Sequence, residues 1–157
     1  MTERPTTTID DEPLLASEPR GLRSYDLGVL AGLGTALAYG LSAELLGLSW
    51  GLVAVAFVGG MVIGGAVTRG AWQGRPHITV LRLQIMAGLI GIGAWIVGVF
   101  VAYVISQALL PQASTTLLER LSFEHFSAYF VGLDESIRFI HAASLAALAF
   151  MAWRGAR

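Results

Sequence analysis

The chain has 157 residues, 55% of them hydrophobic and 13% charged, with a formal net charge of −1. Soluble domains carry about 25% charged residues, so this composition, with a mean hydropathy of +0.66, excludes an ordinary soluble domain and points to an all-α integral membrane protein. The charge balance gives no footprint for nucleic acid, and the lack of cysteine excludes disulfides, thiolate metal sites and cysteine nucleophiles.

All ten basic residues are arginine, and glycine and alanine are abundant. Such a bias is expected of a GC-rich genome and hence of a prokaryotic source. Residues 1–23 are polar, with three consecutive threonines (Thr6, Thr7, Thr8) and the acidic run Asp10-Asp11-Glu12. A segment so poor in apolar residues cannot offset its ordering entropy, which predicts a disordered cytoplasmic tail. Pro13-Leu14-Leu15 behind the acidic run resembles the dileucine sorting signal of eukaryotic membrane proteins. The lysine-free composition argues against a eukaryote and favours a plain solvated tail.

A first span is expected over 27–43, between Asp26 and Glu44, with Gly28 and Gly32 as a GxxxG pair. Arg20, Arg23 and Ala36-Leu37-Ala38 mimic a signal peptide with its cleavage site. The long acidic leader and the apolar residues beyond the would-be cut argue for a retained span. Glu44–Ser49 reads as a tight hairpin with Gly47 free to take a positive φ. A second span follows over 51–68, between Trp50 and Trp72, whose indoles favour the membrane–water interface. Its Gly60 and Gly64 are one helical turn apart, giving a face almost without side chains.

Arg69–Arg82 reads as a polar loop. The third span, 83–110, has no charged residue and would reach ~42 Å as a helix, against a hydrocarbon core about 30 Å thick. Ala94, Gly98 and Ala102 recur along it every four residues. Over 117–133, Leu118, Leu121, Phe126, Tyr129, Phe130 and Leu133 oppose Arg120, Glu124, Ser127 and Asp134. That pattern predicts a short helix on the membrane surface, although Glu119 and His125 interrupt its apolar arc. A fourth span is expected over 137–153, with Ala143 and Ala147 as its small-residue pair.

Arg20, Arg23, Arg69, Arg75, Arg82, Arg154 and Arg157 fall on one side of this four-span arrangement, and Arg120 and Arg138 on the other. The positive-inside rule then puts both termini in the cytoplasm of a cell membrane. Tyr25, Trp72 and Trp153 should mark the inner interface, Trp50 and Tyr103 the outer.

Few residues could carry chemistry. Asp134, Arg138 and His141 share a helix face by their spacing, and Glu44 is expected at the same outer level. Together they form a candidate polar cluster able to hold an anion or to sense pH through the imidazole. The plainer reading has Asp134 and Glu135 favoured by the helix dipole and Arg138 snorkelling outward. His125 and His141 lack a third ligand, so no metal or cofactor is expected. His141 and Ser144 lack the nucleophile elbow of a hydrolase. Gly28, Gly32, Gly60, Gly64 and Gly98 read as helix-packing positions, within the chain or between copies in a homo-oligomer. The expected role is non-catalytic: a small structural, interaction or accessory protein whose partners are the lipid bilayer, a second copy or another membrane protein. The alternative is a small-molecule or ion-handling protein using the outer cluster.

Overall fold

In a computed structural model, which describes residues 24–47, 49–72, 79–109 and 121–157, the chain is an all-α bundle. The helices are α1 (Ser24–Glu44), α2 (Gly51–Trp72), α3 (Val80–Leu109), α4 (Phe123–Gly132) and α5 (Glu135–Gly155). Four of them, α1, α2, α3 and α5, are long and apolar enough to cross a membrane. Short α4 lies between the third and fourth spans, within the 117–133 expected, of which residues 117–120 lie outside the described residues. Ser122 starts it: its hydroxyl accepts from the His125 backbone N–H, supplying one of the donors a helix start leaves unmet. The disordered-tail and sorting-signal readings of residues 1–23, Arg20 and Arg23 of the signal-peptide reading, and residues 73–78 of the expected loop lie outside the described residues.

Several helix ends extend beyond the sequence reading, two of them past arginines. Helix α2 continues through Arg69 to Trp72, and α3 starts at Val80, before Arg82. An arginine at a helix end is compatible with a span because its long stem reaches the interface, and Arg69 in the last turn of α2 also meets the favourable end of the dipole. The turn between α1 and α2 agrees with the expectation: Gly47 has φ 57°.

Helix α1 packs on α2 and α3, and α5 packs on the same two, so α1 and α5 face each other diagonally, as do the consecutive helices α2 and α3, which touch less extensively. Lipid supplies no hydrophobic drive between helices, so close backbone approach has to hold them. The glycines provide it. A Cβ on Gly60 would lie 2.6 Å from the Leu148 carbonyl oxygen, and one on Gly64 would lie 2.6 Å from that of Ala152. Helix α2 therefore rests on the backbone of α5. On the other side, Gly28 and Gly32 admit the Ile90 side chain, and Gly98 lies against Tyr39 and the Ala36 carbonyl. Each of the five predicted packing glycines thus meets another helix of the same chain. In α5 the buried face is Ile140, His141, Ser144, Leu148 and Ala152; Ala143 and Ala147 are only half-buried. The core stripe runs one position on from the expected pair, through Ser144 and Leu148, where glycine backbone from α2 meets α5.

Candidate functional site

Inside the bundle four polar side chains from three helices come together. The Tyr39 hydroxyl of α1 lies 2.8 Å from His141 Nδ1 of α5, joining the two helices that sit diagonally. Tyr39 is fully buried and His141 is 4% exposed. With Tyr39 five residues before the end of α1 and His141 six after the start of α5, the pair is set about 8–9 Å in from those helix ends. In the neutral imidazole one ring nitrogen accepts and the other donates, so a Tyr39 O–H donating to Nδ1 places the ring proton on Nε2. Around this bond stand Ser144 of α5 and Trp95 of α3. Both adjoin the Tyr39 hydroxyl, whose oxygen keeps acceptor capacity for them while its proton goes to His141, although neither Ser144 Oγ nor Trp95 Nε1 reaches full hydrogen-bond geometry there.

Aromatic rings close the space around the imidazole. Trp95 lies 6.5 Å from the His141 ring, centroid to centroid, and Phe130 of α4 lies 6.1 Å from it. Trp95 and Phe130 also meet edge-on at 6.3 Å. Beyond these two rings is an apolar pocket of about 310 Å³ between α3 and α4, walled by Trp95, Ile96, Val99, Phe126, Phe130 and Val131. A second, shallower groove of about 570 Å³ runs along the outside of α1 and α2, over Ala31, Gly34, Ala38, Ala54, Val58 and Val62.

Helix α4 has no buried residue of its own. It is held by aromatic contacts, with Tyr103 of α3 lying 5.4 Å from Phe126 and 5.2 Å from Tyr129, and by one hydrogen bond across the bundle end. The Tyr129 hydroxyl donates to Glu44 Oε1 of α1 at 2.9 Å. Burial, and then the bond to the Glu44 carboxylate and its charge, push the Tyr129 phenol well above the ordinary tyrosine range.

The expected outer cluster is therefore divided. Glu44 bonds Tyr129, and His141 turns inward to Tyr39. Asp134 and Arg138 are exposed; Asp134 sits at the start of α5, its carbonyl accepting from the Ile137 and Arg138 N–H groups, without a side-chain cap. Spacing alone put the last three on one face, but a helix face is wide, and His141 lies on the side that meets α1. The other expected candidate, His125, engages Ser122 in its own helix turn. No three histidine or carboxylate side chains among the described residues gather as metal ligands. Tyr103, expected at the outer interface, is instead 1% exposed beneath α4.

Sequence reasoning did not reach Tyr39 or Trp95. The signal that marks them is a polar-tipped residue inside an apolar span, which lipid penalises unless it faces the bundle. Comparison of the chain with protein families, with curated proteins and with solved structures found no match.

Proposed function

We infer that the protein is a non-catalytic accessory or interaction subunit of the cell membrane, with both termini cytoplasmic, that assembles with another membrane protein or with a second copy of itself. One observation carries this reading. The interior is closed by glycine-to-backbone packing between α2 and α5, and its central titratable side chain, His141, is tied to Tyr39. A transporter normally keeps ionisable groups near the midplane beside an aqueous path, and an enzyme needs its reacting groups within reach of substrate. The outward faces are long and apolar, with Leu30, Leu33, Leu37, Val58, Val62, Ile85 and Leu89 among the exposed residues. They suit lipid and neighbouring helices. The separation of Asp134 and Arg138 from Glu44 and His141 removes support from an outer ion-binding site. The orientation rests on the arginines, with Arg69 and Arg154 in the last turns of α2 and α5 at one end of the bundle.

The test is purification of the tagged chain from its native membrane in mild detergent at natural abundance, with quantitative mass spectrometry. The expected result is a species larger than the 16.7 kDa monomer, containing a second copy or one partner at fixed stoichiometry. Recovery as a monomer without a stoichiometric partner contradicts the proposal.

A further inference from the structure

We propose that the arginine-bearing end of the bundle is a binding surface for the phosphate headgroups of anionic phospholipids. This goes beyond the accessory role and rests only on the membrane-spanning fold. Helices α2 and α5 run the same way and meet near this end through Gly64 and Gly155: a Cβ on Gly64 would lie 2.8 Å from Gly155 Cα. That contact sets the last turns of the two helices at a common level. Arg69 is in the last turn of α2, Arg154 in the last turn of α5, and Arg157 follows it. Helix α3 begins at the same end, with Gly88 facing Trp153 of α5 and Arg82 six residues nearer the start of the helix. All four arginines are exposed.

Charge and depth select the partner. Among the described residues at this end the only acid is Asp26, in the first turn of α1. The opposite end holds Glu44, Glu124, Asp134 and Glu135 against Arg138. One end is therefore positive and the other negative, and only the first complements an anionic lipid surface. Trp153, 39% exposed, comes directly before Arg154. An indole settles at the membrane–water interface, which puts the adjoining guanidinium among the lipid phosphates rather than free in solvent, where a soluble acidic partner would meet it. The headgroup layer is about 5–8 Å deep on each face, and Arg69, five residues beyond Gly64, lies ~7.5 Å further along its helix, so the arginines of α2 and α5 share that layer. A guanidinium stays charged and meets a phosphate with two parallel N–H donors, and every basic residue of the chain is an arginine.

The experiment uses the full chain in dodecyl maltoside micelles, with melting followed by circular dichroism. Three probes are added separately: dioleoylphosphatidylglycerol, dioleoylphosphatidylcholine and inorganic phosphate. The anionic lipid should raise the melting temperature saturably. Phosphatidylcholine, without net charge, should not, and inorganic phosphate should not, because no tail holds it at the interface. Arg69→Gln, Arg154→Gln and Arg157→Gln should each weaken phosphatidylglycerol roughly fivefold, and the triple variant should abolish the shift. Arg138→Gln, at the opposite end, should leave it unchanged. These side chains are exposed, so the substitutions leave the packed interior intact. An equal shift with phosphatidylcholine or with inorganic phosphate, no shift with any probe, full affinity in the triple variant, or an equal loss in Arg138→Gln overturns the proposal.

Discussion

Neighbouring glycines of α2 offer a sharp test of how the bundle is held. Gly64→Ala would set a methyl carbon 2.6 Å from the Ala152 carbonyl oxygen and 2.8 Å from Gly155 Cα, where ordinary contact begins at 3.4 Å. Those atoms are backbone, which cannot swing aside as a side-chain tip can, so α2 and α5 must separate along their contact. Overpacking of this kind costs typically about 1–3 kcal/mol. Gly65→Ala, one residue on, meets nothing within 4 Å and gains the helix propensity of alanine over glycine, about 1 kcal/mol. The two substitutions have the same chemistry and opposite expected signs, separated by about 2–4 kcal/mol. Reversible unfolding by sodium dodecyl sulfate in mixed micelles, followed by circular dichroism, reads this difference directly. Equal destabilisation by Gly64→Ala and Gly65→Ala would refute a specific packing face between α2 and α5.

A double-mutant cycle of Tyr39→Phe and His141→Leu should give a coupling of about 0.6 kcal/mol, the average for hydrogen bonds between membrane helices, and at most about 1.7; strict additivity would show that the diagonal bond contributes nothing. Tyr129 should resist ionisation as pH rises, seen as a tyrosine missing from the alkaline absorbance titration. Its folded pKa is raised above the unfolded value of about 10. The stability it contributes is therefore complete below pH ~10 and is lost as pH rises above it, and Tyr129→Phe should flatten that alkaline decline. Ser122→Ala removes the cap of α4 at a cost of about 1 kcal/mol to that helix. Faster amide exchange confined to α4 is expected, with bundle melting unchanged, because α4 buries no residue.

The spans were legible because lipid leaves few solutions: a run such as Leu83–Leu110 without charge has to be a helix with its backbone bonds internal. The Gly60/Gly64 face was legible for a related reason, since glycines one turn apart have few uses in a span beyond close approach. The helix ends were less so. Arg69 and Arg82 looked like loop residues, yet long side chains let a helix carry charge at its edge. The polar centre was hidden almost entirely. Spacing on α5 grouped His141 with Asp134 and Arg138, but its partner Tyr39 comes from another helix, 102 positions away. Nothing local to either residue encodes that α1 and α5 lie diagonally. The same holds for Trp95, whose apolar neighbours make it look like any lipid-facing aromatic, and for Tyr103, which only the placement of α4 turns into a buried residue.

The chain has no cysteine, so single introduced cysteines can report which parts of this bundle share a side of the membrane. Leu46 and Ser127, in the first hairpin and on α4, are exposed at one end of the fold; Thr79 and Arg157, before α3 and after α5, are exposed at the other. With a membrane-impermeant maleimide, Leu46→Cys and Ser127→Cys should label in intact cells, and Thr79→Cys and Arg157→Cys only after permeabilisation. Labelling of Arg157→Cys together with Leu46→Cys in intact cells would contradict the four-span bundle with cytoplasmic termini.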